Sequence, residues 1–234
     1  MTFKYLAFDI ETSKTVPGAD FNWKPHRPLG ISCIASQATD ENEPRVWLTR
    51  TPSGTPAPQM SRADLAAFVQ HLDDAMRDGC VPLSWNGLAF DFDVLAEESG
   101  LADLCKKLAL AHVDMMFHVV CVKGFRVSLN SAASGLRLQG KLDGVEGIDA
   151  PSLWAAGKYD LVTQYVSQDV RTTLAVARES QKRRAFKWTT RKGTTSSMPL
   201  PSGWLRVEAA RKLPLPDISW LSDAPSRRDF TAWL

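Results

Sequence analysis

Between residues 3 and 9 the apolar positions run almost unbroken, through Phe3, Tyr5, Leu6, Ala7 and Phe8, and stop at Asp9 and Glu11. A run of this kind predicts a buried strand. Residues 29–36 (LGISCIAS) and 45–50 (RVWLTR) predict two more strands, joined by a polar turn around residues 40–44. Three strands with short links suggest an antiparallel meander. Residues 13–28 and 51–61, rich in Pro with Gly, Asn, Asp and Ser, predict loops. From Ser61, an N-cap, to Gly79 the apolar positions Leu65, Phe68, Leu72 and Met76 recur at helical spacing. A short strand over 80–85 follows, then a helix ending near Gly100 and another over 101–110. Residues 111–124 predict a strand end followed by a helix. The stretch 124–157, with six glycines, reads as irregular with short helical pieces. Residues 159–184 give the strongest helix, and 186–190 and 196–200 flank a turn at Gly193 as a hairpin. The order describes a mixed α/β domain.

Acids at three places break this pattern. Side chains alternate along a strand, so Asp9 and Glu11 face the same side. Two like charges on a buried strand require a cation between them, or a strand that ends at the surface. On a helical wheel Tyr165, Val166, Thr173, Val176 and Ala177 fall within roughly 60° of Val162, and Asp169 lies inside that apolar stripe. Tyr165 sits one turn before Asp169. The alternative for Asp169 is an ion pair with a basic side chain. Asp91 follows Asn86 by five residues at a helix start, where an acid also serves as a cap or dipole partner. Taken together, the acids suit hard divalent cations, which take oxygen ligands. Four carboxylates complement two such ions, and a pair of ions clamps the attacking and leaving oxygens of a phosphodiester.

Charge is unevenly distributed. Residues 181–234 hold eleven Lys/Arg against four Asp/Glu, a balance of +7, whereas residues 1–180 hold seventeen against twenty-two, a balance of −5. The basic part also carries Trp188, Trp204, Trp220 and Trp233, a combination suited to nucleic acid. Its other reading is a solvated face with tryptophans that pack the extension on the body. Lys182, Arg183, Arg184, Lys187, Arg191 and Lys192 cluster around Trp188. We expect Arg183, Arg184, Arg191 and Lys192 to grip the backbone of a bound strand. The chain divides into a body, 1–180, and a basic extension, 181–234, packed on or next to it. The extension is also a candidate site for a protein partner.

No run of eighteen apolar residues suggests a membrane span. The N-terminal residues lack a secretory signal pattern, and the four cysteines form no CxxC pair, so we expect a cytoplasmic protein with reduced thiols.

The segments FDIET, NGLAFD and YVSQD, in that order, resemble the three motifs of the DEDD (DnaQ-like) superfamily of 3′–5′ exonucleases. The resemblance spans roughly residues 3–180. HVDMMFHV and GKLDG…APSLWAAGKYD are similar to connecting segments of the exonuclease domain in family B DNA polymerases. One branch of the superfamily has a histidine five residues before the last acid, where this chain has Gln164. The other has a tyrosine four residues before it, as Tyr165 is here, so the chain resembles the tyrosine (DEDDy) branch.

The resemblance implies an RNase H-like fold with a mixed sheet, its first three strands antiparallel, flanked by helices. It implies hydrolysis of 3′-terminal phosphodiesters to nucleoside 5′-monophosphates with two divalent cations, Mg²⁺ or Mn²⁺. Asp9, Glu11, Asp91 and Asp169 are then metal ligands, and Tyr165 orients the attacking water. Thr12, Asn86 and Phe90 match positions near the terminal nucleotides. Asp93 and Asp114 read as structural acids. DNA, single-stranded or with unpaired 3′ ends, is the expected substrate in preference to RNA. A nucleic-acid-binding module with a decayed site is the alternative. With no room for a polymerase domain in 234 residues, a stand-alone nuclease or a nuclease subunit is expected.

Overall fold

The computed structural model describes residues 4–17, 22–140 and 147–234. Phe3, residues 18–21 of the first loop and residues 141–144 of the GKLDG segment lie outside the described residues.

In chain order the elements are β1 (Lys4–Thr12), β2 (Ile31–Ala38), β3 (Arg45–Trp47), α1 (Arg62–Arg77), β4 (Cys80–Ser84), α2 (Asp91–Ser99), α3 (Ala102–Ala111), β5 (Val113–Asp114) and α4 (Met115–Lys123). Then come α5 (Leu129–Leu136), α6 (Ala150–Ala155), α7 (Tyr159–Arg183), β6 (Ala185–Thr189), β7 (Thr195–Pro199), α8 (Val207–Ala210) and α9 (Arg228–Thr231). The main sheet has the order β3-β2-β1-β4-β5, with β1–β2 and β2–β3 antiparallel and β1–β4 and β4–β5 parallel. The expected meander therefore forms, with β1 at the centre of a mixed sheet. The β6–β7 hairpin forms a separate sheet around Gly193.

Alternation along β1 sorts its side chains between two cores. Tyr5 and Ala7 pack with Cys33, Ala35, Val81 and Leu83 against Val162, Val166 and Val170 of α7. Leu6, Phe8 and Ile10 pack with Ile34 against α1 and α2, through Leu65, Phe68 and Phe92. Both faces of β1 are thus covered, which explains its nearly continuous apolar run.

Several boundaries differ from the sequence expectation. β1 runs on through both acids to Thr12 rather than stopping at residue 9. Between Glu11 and Thr12 its register on β2 slips, from Glu11↔Cys33 to Thr12↔Ile31. The Ser32 hydroxyl bonds the carbonyls of Glu11 (3.1 Å) and Thr12 (3.2 Å), so the bulge turns the strand end toward the site. β3 is only three residues long, because the chain turns back and bridges Arg50 to Pro56.

α7 passes residues 180 and 181 without a break. The residues beyond it enter both cores: Phe186, Trp188, Met198 and Trp204 join one, and Val207, Ala210 and Phe230 the other. The Arg227 guanidinium donates to the carbonyls of Cys121 (3.1 Å), Leu213 (2.7 Å) and Pro214 (2.8 Å). The Leu205 amide donates to His118 Nδ1 at 3.2 Å. Trp188 and Trp204 are therefore packing residues, while Trp220 remains exposed.

Candidate active site

Asp9 and Glu11 follow Tyr5 and Ala7 at intervals of two, so they face α7. Their cross-strand neighbours Ala35 and Cys33 belong to the core on that side. The Cys33 thiol registers the acids: burial pushes it far up, and the Glu11 and Asp9 charges push it further. Glu11 is buried, and Asp9 is half-buried.

On the facing helix Tyr165 and Asp169 are buried within the apolar stripe. A tie at the other end of the same contact sets the register. The Gln181 amide donates to the Tyr5 hydroxyl at 2.6 Å. From Gln181 back to Asp169 is about 18 Å of helix. From Tyr5 forward to Asp9 and Glu11 is about 13–20 Å of strand. Asp169 is thereby set alongside the two strand acids. Tyr165 lies one turn further, and a Cβ on Gly147 would stand 3.6 Å from its hydroxyl oxygen.

Asp91 arrives by a different route. The parallel ladder between β1 and β4 ends at Ala7↔Leu83, because β4 turns away after Ser84. The loop 85–90 carries the chain into α2, and the Asp91 Oδ1 accepts the Ile10 amide at 3.2 Å. Ile10 is the residue between Asp9 and Glu11, so Asp91 joins the same strand end. Burial raises the Asp91 carboxyl above the usual range, amides of its own helix turn oppose that, and the nearby Asp114 charge adds to it.

The loop presenting Asp91 is held by buried groups. Asp114 accepts the amides of Asn86 (3.1 Å), Leu88 (2.9 Å) and Phe117 (3.0 Å). These bonds fix Asn86 in a left-handed conformation, φ 74°. His112 bonds Ser84 Oγ at 3.1 Å, and that oxygen accepts the Gly87 amide at 3.1 Å. Trp233 Nε1 donates to the Leu88 carbonyl at 2.6 Å, so the end of the chain also braces the loop. Asp93 is bound at 2.9 Å by Arg27 Nη2. Asp93 and Asp114 thus have the structural roles their sequence positions suggested. Sequence reasoning missed Ser84, His112, Trp23 and Trp233. Trp23 packs edge-on to Phe90, ring centres 5.2 Å apart, and carried no signal beyond its aromatic character.

The donor set fits hard divalent cations. Asp9, Glu11, Asp91 and Asp169 offer only carboxylate oxygens, in a largely buried setting that calls for positive charge. Among the described residues no three His, Cys, Asp or Glu side chains are already gathered as a metal cage. The fit rests on the shared face and on the Asp91–Ile10 bond.

Against this geometry stand the comparisons with known proteins. A family model for the RNase H superfamily matches residues 55–180. The chain belongs to the RNase H superfamily. The matched RNase H-like region holds Asp91, Tyr165 and Asp169, while Asp9 and Glu11 precede it. Among solved structures the chain is similar to the family B DNA polymerase of the archaeon Pyrobaculum calidifontis. The two share 19% identity at a TM-score of 0.55, over 77% of this chain and 25% of the polymerase. It also matches E. coli exonuclease I in complex with a dA16 oligonucleotide, with 17% identity and a TM-score of 0.42 over 77% of this chain and 41% of the exonuclease. The chain therefore spans a quarter of the polymerase's length and about two-fifths of the exonuclease's. No curated protein gives a significant match. RNase H-like nucleases generally use divalent metal ions.

The RNase H-like body does not gather every residue expected to bind substrate. Thr12, Asn86 and Phe90 lie at the strand end and in the loop beside the acids. Arg183 and Arg184 do not. They close α7 about 22 Å from Asp169 along the helix. Arg183 pairs with Glu179 at 2.6 Å, and Arg184 donates to the Pro201 carbonyl at 2.7 Å. Both side chains are thus engaged within the fold at the far end of the helix from Asp169. Arg191 and Lys192 are exposed at the tip of the β6–β7 hairpin. No helix among the described residues is long and apolar enough to cross a membrane.

Proposed function

We propose that the protein is a metal-dependent 3′–5′ exonuclease of the tyrosine (DEDDy) branch, acting on DNA at single-stranded or unpaired 3′ ends. The observation that carries this reading is the placement of Asp9, Glu11, Asp169 and Tyr165 on one face, with Asp91 bonded to Ile10 between the strand acids. Asp9, Glu11, Asp91 and Asp169 would hold two divalent cations, Mg²⁺ or Mn²⁺. When bound, these supply charge neutralisation at the phosphate and lower the pKa of the attacking water.

The chain's own groups do the rest. Tyr165, whose ordinary pKa of about 10 makes it a poor base at neutral pH, orients the water by its hydroxyl. Thr12, Asn86 and Phe90 border the terminal nucleotide, and the Phe90 ring, backed by Trp23, stacks on its base. In-line attack releases a nucleoside 5′-monophosphate and leaves a strand shorter by one. Residues 1–180 carry this chemistry. Within 181–234, the exposed Arg191 and Lys192 would meet the strand's backbone.

The test is a single-stranded DNA 30-mer labelled at its 5′ end, incubated with Mg²⁺, Mn²⁺ or EDTA beside an Asp169→Ala control. A metal-dependent ladder that shortens from the 3′ end, absent in the control, is the expected result. Equal shortening in the control would remove the site, and shortening of a matched RNA alone would replace the substrate.

A further inference from the structure

Among the described residues, three other than glycine hold a left-handed backbone: Asn86, Arg137 and Arg184. Asparagine tolerates that region, and Arg184 is engaged with the Pro201 carbonyl. Arg137 is different. It caps the C-terminus of α5 at φ 61°, where glycine or asparagine is the ordinary choice. Its amide bonds Ser134 O at 3.1 Å, and the Leu138 amide bonds Ala133 O at 2.9 Å, so the cap is a closed turn. Its side chain is exposed and makes no hydrogen bond or ion pair among the described residues. A long cation is thus kept where the backbone favours glycine, and no contact among the described residues explains it.

Its location supplies an explanation. Three residues on, the Gly140 carbonyl accepts Gln168 Nε2 at 3.1 Å, and Gln168 is the neighbour of Asp169 in α7. On the other side of α5, Thr189 Oγ1 bonds Ser134 Oγ at 2.9 Å, fastening the β6–β7 hairpin beside the same helix end. Gly135 permits this contact, since a Cβ there would lie 2.2 Å from the Trp188 Cα. The end of α5 therefore stands between the acid site and the hairpin tip that carries Arg191 and Lys192.

We propose that Arg137 binds a backbone phosphate of the strand whose 3′ end enters the acid site, and that Arg191 and Lys192 continue the cationic track outward. The inference rests on the nuclease reading. Its rival is that Arg137 only complements the negative end of the α5 dipole.

The test compares wild-type full chain with Arg137→Gly and Arg137→Lys, measuring melting temperature, kcat, KM and the salt dependence of KM on labelled single-stranded DNA. Arg137→Gly relieves the backbone, so its melting temperature rises by about 2–4 °C. Its KM rises about 10-fold, kcat stays within about 2-fold, and the slope of log KM against log salt falls by about 0.7, one phosphate contact's worth. Arg137→Lys keeps the slope. Unchanged KM and slope in Arg137→Gly would overturn the inference and leave a capping residue. A wild-type chain that neither binds nor shortens the strand would remove the nuclease reading, and the inference with it.

Discussion

The two ends of the contact between β1 and α7 are built from the same strand and the same helix, yet they handle polar groups in opposite ways. At one end Gln181 meets the Tyr5 hydroxyl, Arg183 meets Glu179 and Arg184 meets a carbonyl. Each of these three donors has a complementary acceptor. At the other end Asp9 and Glu11 of the strand lie on the face that meets α7, where Asp169 is buried, and Asp91 of α2 is bonded to the strand between the two acids. Complementary polar groups fasten a fold. Like charges brought together at the cost of desolvation mark a place made for something else. The basic residues at 182–184 are conspicuous in the sequence, and in the structure Arg183 and Arg184 make their bonds at the end of a helix.

The comparison can be broken from the acidic end first. Asp169→Ala or Asp9→Ala should reduce turnover by about 10³-fold or more, with a melting temperature within a few degrees of wild type. Circular dichroism and a single-turnover assay check both parts. Tyr165→Phe keeps the packing and removes only the hydroxyl, so kcat should fall about 10²-fold while KM stays near wild type.

The fastening contacts give smaller effects of a different kind. His118 is buried, and burial lowers it from 6.5 to about 4. Its Nδ1 accepts the Leu205 amide, which only the neutral ring can do. Because the folded-state value lies below the unfolded one, its contribution is present above pH 6.5 and is lost as the pH falls toward 4. The loss amounts to roughly 3 kcal/mol at most. Denaturant midpoints measured between pH 7 and pH 4 should show a shallower decline in His118→Asn, whose side-chain oxygen can still accept the amide. Smallest of all, Arg183→Ala removes an exposed pair one helical turn apart and should change stability by about 0.5 kcal/mol or less. The salt dependence of activity should not move, and a lowered slope would restore Arg183 as a strand contact.

Most of the fold was legible because patterning and chemistry agreed. β1, β2, α1, α2 and α7 each carried a recognisable pattern, and two boundaries were marked by a residue, the Ser61 cap that starts α1 and Gly100, with φ 71°, that ends α2. Asp9, Glu11 and Asp169 stood out for the opposite reason, since each violated the pattern of its own element, whereas Asp91 sits at a helix start where an acid is ordinary. What was hidden depended on distant partners. α5 looked irregular because its glycine and serines are poor helix formers, and only the approach of the Trp188 backbone explains Gly135. The short β3 and the bulge at Thr12 follow from bonds to Pro56 and Ser32. Arg137 was invisible, because nothing in the sequence says that α5 ends in a left-handed residue three positions before the carbonyl that Gln168 bonds.

The central claim is that the acidic end of the β1–α7 contact is a site for divalent cations. The direct measurement is the melting temperature of wild type, Asp9→Asn and Asp169→Asn as Mn²⁺ is raised. A saturable rise in wild type that is lost or strongly weakened in both variants is the result this account predicts. The same rise in all three proteins, or none in wild type, would contradict it.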